Sequence, residues 1–249
     1  MSRQRRSAAL FAAIAIAAFP VAASAQSAGR GFLFGAPDGS FTLRGGWAMP
    51  TARSDLFAFT TDQLTLGRGD FGSPALEAEV AGRIFSRTDI VFTAGLSGMD
   101  KGSEFRYYID NNDKPIEQTT NFMRVPLTAG VRQYLTAPGR SVGQFAWIPA
   151  RVAPYIGAGA GVMYYRFRQR GDFIDLNTLD VFPSLYESDG WTGTAYATAG
   201  LDYSLGPRFV LNGEARYLWS KAALSHDFSG FEHLDLSGLS TMVGISVRF

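Results

Sequence analysis

The sequence contains no cysteine and two histidines. The absence of cysteine excludes a disulfide framework, thiol chemistry and a lipoprotein anchor. The charges nearly cancel, with 23 Lys+Arg against 22 Asp+Glu, so nothing in the balance favours nucleic-acid binding. Beyond the N-terminus, no apolar run approaches the roughly 20 residues of a membrane-spanning helix. A membrane protein with this sequence must therefore cross the bilayer with strands.

The first 25 residues have the pattern of a secretory signal peptide. A positively charged start, a short apolar stretch (8–19) and the small residues Ala-Ser-Ala precede Gln26, and this order is typical of an exported protein. The cleavage pattern disfavours the alternative, an uncleaved membrane anchor. We expect residues 1–25 to be removed on export and residues 26–39 to form an N-terminal periplasmic segment. Without Arg3, Arg5 and Arg6 the balance is 20 basic against 22 acidic residues, a net charge of −2.

The rest of the chain, about 220 residues long, alternates apolar and polar residues in eight stretches. Each has close to the ten or so residues that a tilted transmembrane strand needs. The stretches are 40–49, 74–85, 89–99, 119–135, 152–168, 190–204, 208–220 and 233–249.

The connections between these stretches alternate in length. Short turns stand at 86–89 and 205–208, and 136–151 is a longer Gly/Pro link. The long polar connections are 50–73, 100–118, 169–189 and 221–232. Short turns at one end and long loops at the other are typical of membrane barrels. We predict an all-β, up-and-down antiparallel transmembrane barrel of about eight strands over residues 40–249.

The two faces of the predicted strands differ in character. One face carries small and aliphatic residues and ends in aromatics, which is typical of a lipid-facing wall with interfacial girdles. The opposite face carries charges of both signs: Arg44, Glu77, Glu79, Arg83, Arg124, Arg132, Asp202, Glu214 and Arg216. An eight-stranded barrel is just wide enough for its own side chains. We therefore expect these charges to pair inside a polar, plugged interior, while Leu127, Val131 and Leu211 face outward. The alternative is a soluble sandwich with solvated charges.

The chain ends on an alternating strand in which Val243, Ile245, Val247 and Phe249 share one face. We expect this strand to pair with the first and remove the sheet edge. This ending, together with "VPLTAGVRQYL" (125–135) and "PYIGAGAGVMYY" (154–165), resembles small OmpA/OmpX/OmpW-like outer-membrane barrels of Gram-negative bacteria. The resemblance implies an outer-membrane location, contact with lipid including lipopolysaccharide, and recognition of the last strand by the barrel-assembly machinery. It implies no cofactor, and we expect a monomer.

Because such barrels serve many purposes, the resemblance does not select a function. We expect a structural or surface-interaction role without catalysis. One alternative is a narrow porin-like channel for small or apolar solutes. Another is a lipid A-modifying enzyme, for which Ser225, His226 and Asp227 supply the residue types of a triad. Adjacent residues on a strand point to opposite faces, however, so these three cannot form a triad in extended geometry.

Three further features of the predicted outer loops suggest no specific chemistry. The segment 110–115, "DNNDKP", lacks the Gly and the terminal Glu of a calcium loop and is typical of a turn. "RGD" occurs at Arg68–Asp70 and at Arg170–Asp172; host adhesion and ordinary loop chemistry both remain open. Several aromatics indicate loops that pack on one another, the alternative being a small apolar ligand site at the barrel mouth: Phe57, Phe59, Phe71, Phe105, Phe173, Phe182, Phe228 and Phe231.

Overall fold

The computed structural model describes residues 31–110, 113–143, 145–175, 178 and 180–249. The predicted signal peptide (1–25) and residues 26–30 of the predicted periplasmic segment lie outside the described residues. Within the described residues, no helix has the length and apolar character needed to cross a membrane.

Eight long strands follow one another along the chain, and each pairs antiparallel with the next. They are β1 (Gly39–Pro50), β2 (Ser73–Phe85), β3 (Thr88–Ile109), β4 (Pro115–Tyr134), β5 (Val152–Ile174), β6 (Val181–Ser204), β7 (Phe209–Ala223) and β8 (Gly238–Arg248). β8 also pairs with β1, from Gly238 opposite Pro50 to Arg248 opposite Ser40. The sheet therefore closes into a ring without exposed edges, which confirms the predicted antiparallel barrel.

Short elements occupy both ends of the barrel. The end with the tight β2–β3 and β6–β7 connections is called the turn end here, and the opposite end the loop end. At the loop end lie helix α1 (Asp55–Gln63), two short 3₁₀ turns (Arg68–Phe71 and His226–Phe228) and a strand, His233–Asp235, that pairs with β7. The β4–β5 connection forms a hairpin, Gly139–Val142 with Ala146–Pro149, to which Leu33–Phe34 adds a third strand.

The strand bounds differ from the prediction mainly at the loop end. β3 continues to Ile109 instead of residue 99, and β6 begins at Val181 instead of residue 190. β5 and β6 pair without a break from Val152–Tyr203 to Ile174–Val181. Much of the predicted loops 100–118 and 169–189 is therefore strand. These extensions expose polar as well as apolar side chains, such as Glu104 and Ile109, so they lack a regular apolar alternation, while backbone pairing needs no apolar face.

Side-chain exposure shows which face of the wall points outward. Leu127, Val131 and Leu211 are 41%, 45% and 40% exposed, whereas Arg132 and Glu214 are 3% and 5% exposed. Trp47, Trp219 and Phe249 are also exposed. Since alternate residues of a strand point to opposite faces, the barrel has an apolar outer wall and charges inside, the reverse of a soluble barrel.

Candidate functional site: the filled barrel interior

Buried charges from three strands form a network near the turn end. Arg44, on β1, donates from Nη1 to Glu77 Oε1 at 2.7 Å and to Glu79 Oε2 at 3.0 Å, both on β2. The guanidinium of Arg216, on β7, lies 2.7 Å from Glu77 Oε2. Both carboxylates thus contact Arg44. Glu77, on β2, also contacts Arg216, on β7, so it links two strands that β1 and β8 separate in the ring. Paired charges of this kind hold the wall together across the lumen.

The same network continues through two further residues. Arg216 Nη2 lies 2.8 Å from Glu214 Oε1, and Arg132, on β4, donates to Glu79. The three guanidinium groups of Arg44, Arg132 and Arg216 therefore balance three carboxylates. This neutrality matters because an unpaired buried charge costs several kcal/mol.

Tyrosine and asparagine side chains surround the network and link it to β5 and β6. Tyr155, on β5, donates to Glu214 at 2.8 Å, and Asn212 donates to the Tyr155 hydroxyl at 2.9 Å and to Asp202, on β6, at 2.6 Å. Tyr134 donates to Asp202 at 2.9 Å. Polar contacts therefore reach across the whole cross-section of the barrel near the turn end.

The side chains of the network are almost completely removed from solvent. The side chains of Arg44, Glu79 and Glu214 are 0% exposed, and those of the other three members are at most 4% exposed. A water-filled pore must be lined by groups that water can reach. The lumen is closed at this level.

Of the nine predicted interior charges, three lie outside the network. Arg83 pairs with Asp89 at the turn end, and Asp202 is held by Tyr134 and Asn212. Arg124 lies nearer the loop end, where Nη1 donates to the carbonyl oxygen of Leu236 at 3.0 Å. The sequence interpretation missed Asp89, which stands where the predicted turn 86–89 meets the predicted strand 89–99. It missed the tyrosines because their hydroxyls carry no charge.

The loop-end half of the interior has an aromatic core, so the prediction of a polar interior is wrong there, although Thr120 and Gln169 are also buried in this half. Phe57 of α1 is buried. The centroid of its ring lies 4.7 Å from that of Phe71, 5.5 Å from that of Phe122 and 5.8 Å from that of Phe167, in edge-on arrangements. Phe122 and Phe167 lie on the inward faces of β4 and β5. Inward residues become apolar at this level because α1 and the loops enter the barrel mouth and exclude water.

The loop aromatics mostly pack on one another, as the favoured sequence interpretation holds. Phe57, Phe71 and Phe228 are fully buried, and Phe105 and Phe231 pack against them. Phe59 is exposed but contacts the ring of Phe231, and Phe173 and Phe182 contact each other. These contacts fill the barrel mouth instead of lining an open pocket.

The residues that could have formed a triad hold a loop in place. Ser225 donates from Oγ to the carbonyl oxygen of Glu187 at 2.6 Å, and Asp227 accepts from the Glu187 amide at 3.0 Å. His226 opens a 3₁₀ turn. Ser225 and Asp227 thus dock the β7–β8 connection onto β6, and the hydroxyl proton points to a backbone oxygen instead of to an imidazole.

The polar segment at 110–115 forms a turn. Asp110 accepts from the Lys114 amide at 2.7 Å through its side chain, while residues 111 and 112 lie outside the described residues. No group of three His, Cys, Asp or Glu placed to hold a metal ion occurs in the described part of the chain.

The two RGD tripeptides have different structures. Arg68–Asp70 lies in a 3₁₀ turn, where Asp70 is 3.0 Å from Lys101. A hydrogen bond from the Gly67 amide and the nearby Lys101 ammonium lower the pKa of Asp70. Arg170–Asp172 lies within strand β5, so the expectation of a loop is wrong for this copy. The backbones of Arg170 and Gly171 pair with both β4 and β6, and that of Asp172 pairs with β6.

The pairing of β3 with β4 shifts register near the loop end, between Glu104 and Ile109, and is also interrupted in the middle of the wall. These strands pair as far as Ala94 opposite Leu127 and resume at Ser97 opposite Arg124. Pro126 stands between, and proline has no N–H to donate to the ladder. A cavity of about 30 Å³ lies here, at the boundary between the charge network and the apolar core.

Comparisons with known proteins agree with this architecture. No protein-family model matches the chain, and no curated protein sequence is similar to it. Among solved structures, the outer membrane protein OprG from Pseudomonas aeruginosa is similar with a TM-score of 0.50 and 17% identity, over 87% of this chain and 99% of that chain. Neisserial surface protein A has a TM-score of 0.43 and 12% identity, over 85% and 97%. The likeness to OprG shows that the chain has the fold of a small outer-membrane β-barrel.

Proposed function

We propose that this protein is an integral outer-membrane barrel that conducts no ions and has a structural or surface-interaction role. The fold of a small outer-membrane barrel and the apolar outer wall support the location. The wall carries exposed aromatics such as Trp47, Trp219 and Phe249, which suit the interfaces of a bilayer. Lipid, including lipopolysaccharide, is the proposed surrounding of this wall.

The proposals on export and on assembly rest on the first 25 residues and on the last strand. Residues 1–25 are proposed to direct export and to be cleaved. The last strand is the proposed signal for the assembly machinery: Val243, Ile245, Val247 and Phe249 all point outward and are accessible before the ring closes. The protein is proposed to remain a monomer, because the closed ring leaves no strand edge for another copy to extend.

The single observation that carries the non-conducting role is the burial of the charge network. Arg44, Glu79 and Glu214 lie in the lumen with no accessible side-chain surface. A second obstruction, the apolar core around Phe57, fills the loop-end half. The alternative of a narrow channel would require both layers to move apart, which would expose paired charges and a packed aromatic core at once.

Planar-bilayer recording of the folded, purified protein tests this role. We expect no conductance steps from the wild type. The double variant Glu214→Ala with Arg216→Ala removes one carboxylate and one guanidinium, keeps the interior charge balanced and opens space in the lumen. This double variant should stay silent, because the apolar core around Phe57 still fills the loop-end half. Adding Phe57→Ala opens that layer as well, and conductance steps from the triple variant would show that the assay detects an opened barrel. Regular steps from the wild type would refute the proposal.

We further propose that the protein does not modify lipids. The docking role of Ser225 and Asp227, described above, supports this proposal. Mass spectrometry of lipid A from cells with and without the protein provides the test. We expect the acyl chains of lipid A to be the same with and without the protein. A gain or loss of an acyl chain that the wild type causes and a Ser225→Ala variant does not would establish the enzymatic alternative.

A further inference from the structure

Arg124 differs from Arg44, Arg132 and Arg216, each of which has a carboxylate within 4.0 Å. Arg248 also lacks such a carboxylate, but it lies at the turn end, where it donates to the hydroxyl oxygen of Ser204.

Arg124 lies on the inward face of β4 and is 4% exposed. Its one hydrogen bond in the described part of the structure goes to a neutral acceptor, the carbonyl oxygen of Leu236. The guanidinium also lies 5.6 Å from the ring centroid of Phe122. Neither contact neutralises its charge.

The neighbouring carboxylates are already in use. Among the described residues, no Asp or Glu oxygen lies within 4.0 Å of Arg124. Glu77 is bound by Arg44 and Arg216. Asp235 attracts Arg124 from a greater distance, but its oxygens accept hydrogen bonds from Thr51 and from the Ser237 amide. Arg124 therefore has no carboxylate in contact with it, and the one that attracts it, Asp235, is partly exposed to water at the loop end.

Arg124 faces the cavity beside the interrupted wall. Ser97, its cross-strand neighbour on β3, and Ser240 on β8 line the same cavity. Within the described residues, neither serine hydroxyl has a hydrogen-bond partner in the protein. The cavity volume of about 30 Å³ exceeds the roughly 10–15 Å³ needed for one water molecule. It therefore offers the guanidinium of Arg124 and two hydroxyl donors around space for one small ligand. Arg216 also lines the cavity, but it is already paired with Glu77 and Glu214.

We propose that this cavity binds a monovalent anion, which accepts hydrogen bonds from Arg124, Ser97 and Ser240. A buried unpaired charge is unfavourable unless a counter-charge joins it, and an anion here would supply one. Glu77 lines the same cavity, and its carboxylate would repel a second negative charge. The site therefore favours one negative charge over two.

Two sources can supply this anion. One is chloride from the aqueous phase. The other is the carboxylate of an acidic amphiphile in the membrane, which would approach through the wall. Leu76 and Leu96 line the cavity and have outward, exposed side chains, and Pro126 interrupts the ladder between β3 and β4. Both sources present the same chemistry to Arg124.

Thermal unfolding of the full folded barrel in detergent distinguishes these sources. The fraction folded is read from heat-modifiable gel migration at a fixed ionic strength, with sodium methanesulfonate as the bulky reference salt. We expect chloride to raise the midpoint by about 3 °C or more, because a ligand that binds the folded state alone stabilises it. A second arm adds octanoate, with octan-1-ol as its uncharged control. A rise with octanoate but not with chloride assigns the site to an amphiphile.

The variant Arg124→Met removes the charge and keeps an apolar side chain. It should unfold at the same temperature in every salt, and it should be at least as stable as the wild type in methanesulfonate. Arg170→Met, at an exposed position on β5, is the matched control and should keep the wild-type response. An equal rise in Arg124→Met and the wild type, or no rise with either anion, would overturn the proposal.

Crystals of the wild type soaked in bromide give a second readout that does not depend on a variant folding. An anomalous peak within hydrogen-bond distance of the Arg124 guanidinium is expected if aqueous halide fills the site. A density for a carboxylate there after octanoate soaking supports the amphiphile. A cavity empty of both, in crystals that diffract well enough to show bound halide elsewhere, would overturn the proposal. Neither result depends on whether the barrel conducts.

Discussion

Replacing Glu79 by Gln tests how much the interior charges stabilise the barrel. Glu79 accepts a hydrogen bond from Arg44 at 3.0 Å and another from Arg132, and its side chain is 0% exposed. Glutamine keeps the shape but removes the negative charge that both guanidinium groups share. Loss of one partner from a buried ion pair costs about 3–5 kcal/mol, and we expect a loss of unfolding free energy in this range.

Reversible urea unfolding in lipid vesicles, followed by tryptophan fluorescence, measures this loss. The matched control is Glu187→Gln, because Glu187 pairs with Arg168 at 2.7 Å but the two side chains are 30% and 37% exposed. An exposed pair contributes about 0–1 kcal/mol. Adding Arg132→Met to Glu79→Gln restores the charge balance, so the double variant should lose less than the sum of the two single losses.

Equal and small losses for Glu79→Gln and Glu187→Gln would refute this reasoning. The network would then be exposed to water in the folded protein, and its burial could not explain a closed lumen. Additive losses in the double variant would mean that Glu79 and Arg132 do not act on each other.

Three further predictions concern the barrel mouth, the last strand and the loop end. Phe57→Ala should lower the unfolding free energy by about 3–5 kcal/mol, since it empties the aromatic core, whereas Phe59→Ala, at an exposed position, should have little effect on urea unfolding. Phe249→Ala should reduce the amount of heat-modifiable protein in outer-membrane fractions without changing the urea midpoint of what is assembled, and unchanged amounts would contradict the proposed assembly signal. Burial raises the pKa of Asp235, but hydrogen bonds from Thr51 and Ser237 outweigh this and hold it below the ordinary 3.8. The Asp235 carboxylate therefore stabilises the fold above pH 3.8 and ceases to do so as the pH falls through its folded-state pKa. Acid titration should show this loss of stability in the wild type and not in Asp235→Asn.

The sequence was sufficient to predict which side chains of the barrel wall point outward and which point inward. Alternation with period two requires Arg132 and Glu214 to share a face opposite Val131 and Leu211, whatever the neighbouring strands are. The strand count followed from the same pattern. Alternation is local, so a single sequence contains it, whereas closure of β8 on β1 was predicted because a barrel in a membrane leaves no sheet edge unpaired.

The interior could be predicted only in part. That Arg44 would need a partner follows from its burial, but the choice of Glu77 and Glu79 depends on how β1 and β2 align. Tyr155 was missed because a hydroxyl donor to a buried carboxylate leaves no charge signal. Helix α1 was assigned to a loop, since a segment of nine residues is too short to be stable alone and depends on Phe57 entering the lumen.

The sequence also gives no sign that Arg124 lacks a carboxylate partner. Its position in the alternation is the same as that of Arg132, and both were expected to pair. Only the three-dimensional arrangement shows that Arg132 reaches Glu79 while Arg124 reaches the Leu236 carbonyl and a cavity. Pairing of charges across a lumen depends on strand register and tilt, which residue composition does not determine.

The orientation of the wall is tested most directly by NMR of the folded protein in lipid nanodiscs, through nuclear Overhauser contacts between lipid acyl chains and side-chain methyl groups. The methyl groups of Leu127, Val131 and Leu211 should show contacts with acyl-chain protons, and those of Met163 and Leu218, on the inward faces of β5 and β7, should show none. Acyl-chain contacts from Met163 and Leu218 together with none from Leu127, Val131 and Leu211 would contradict the account.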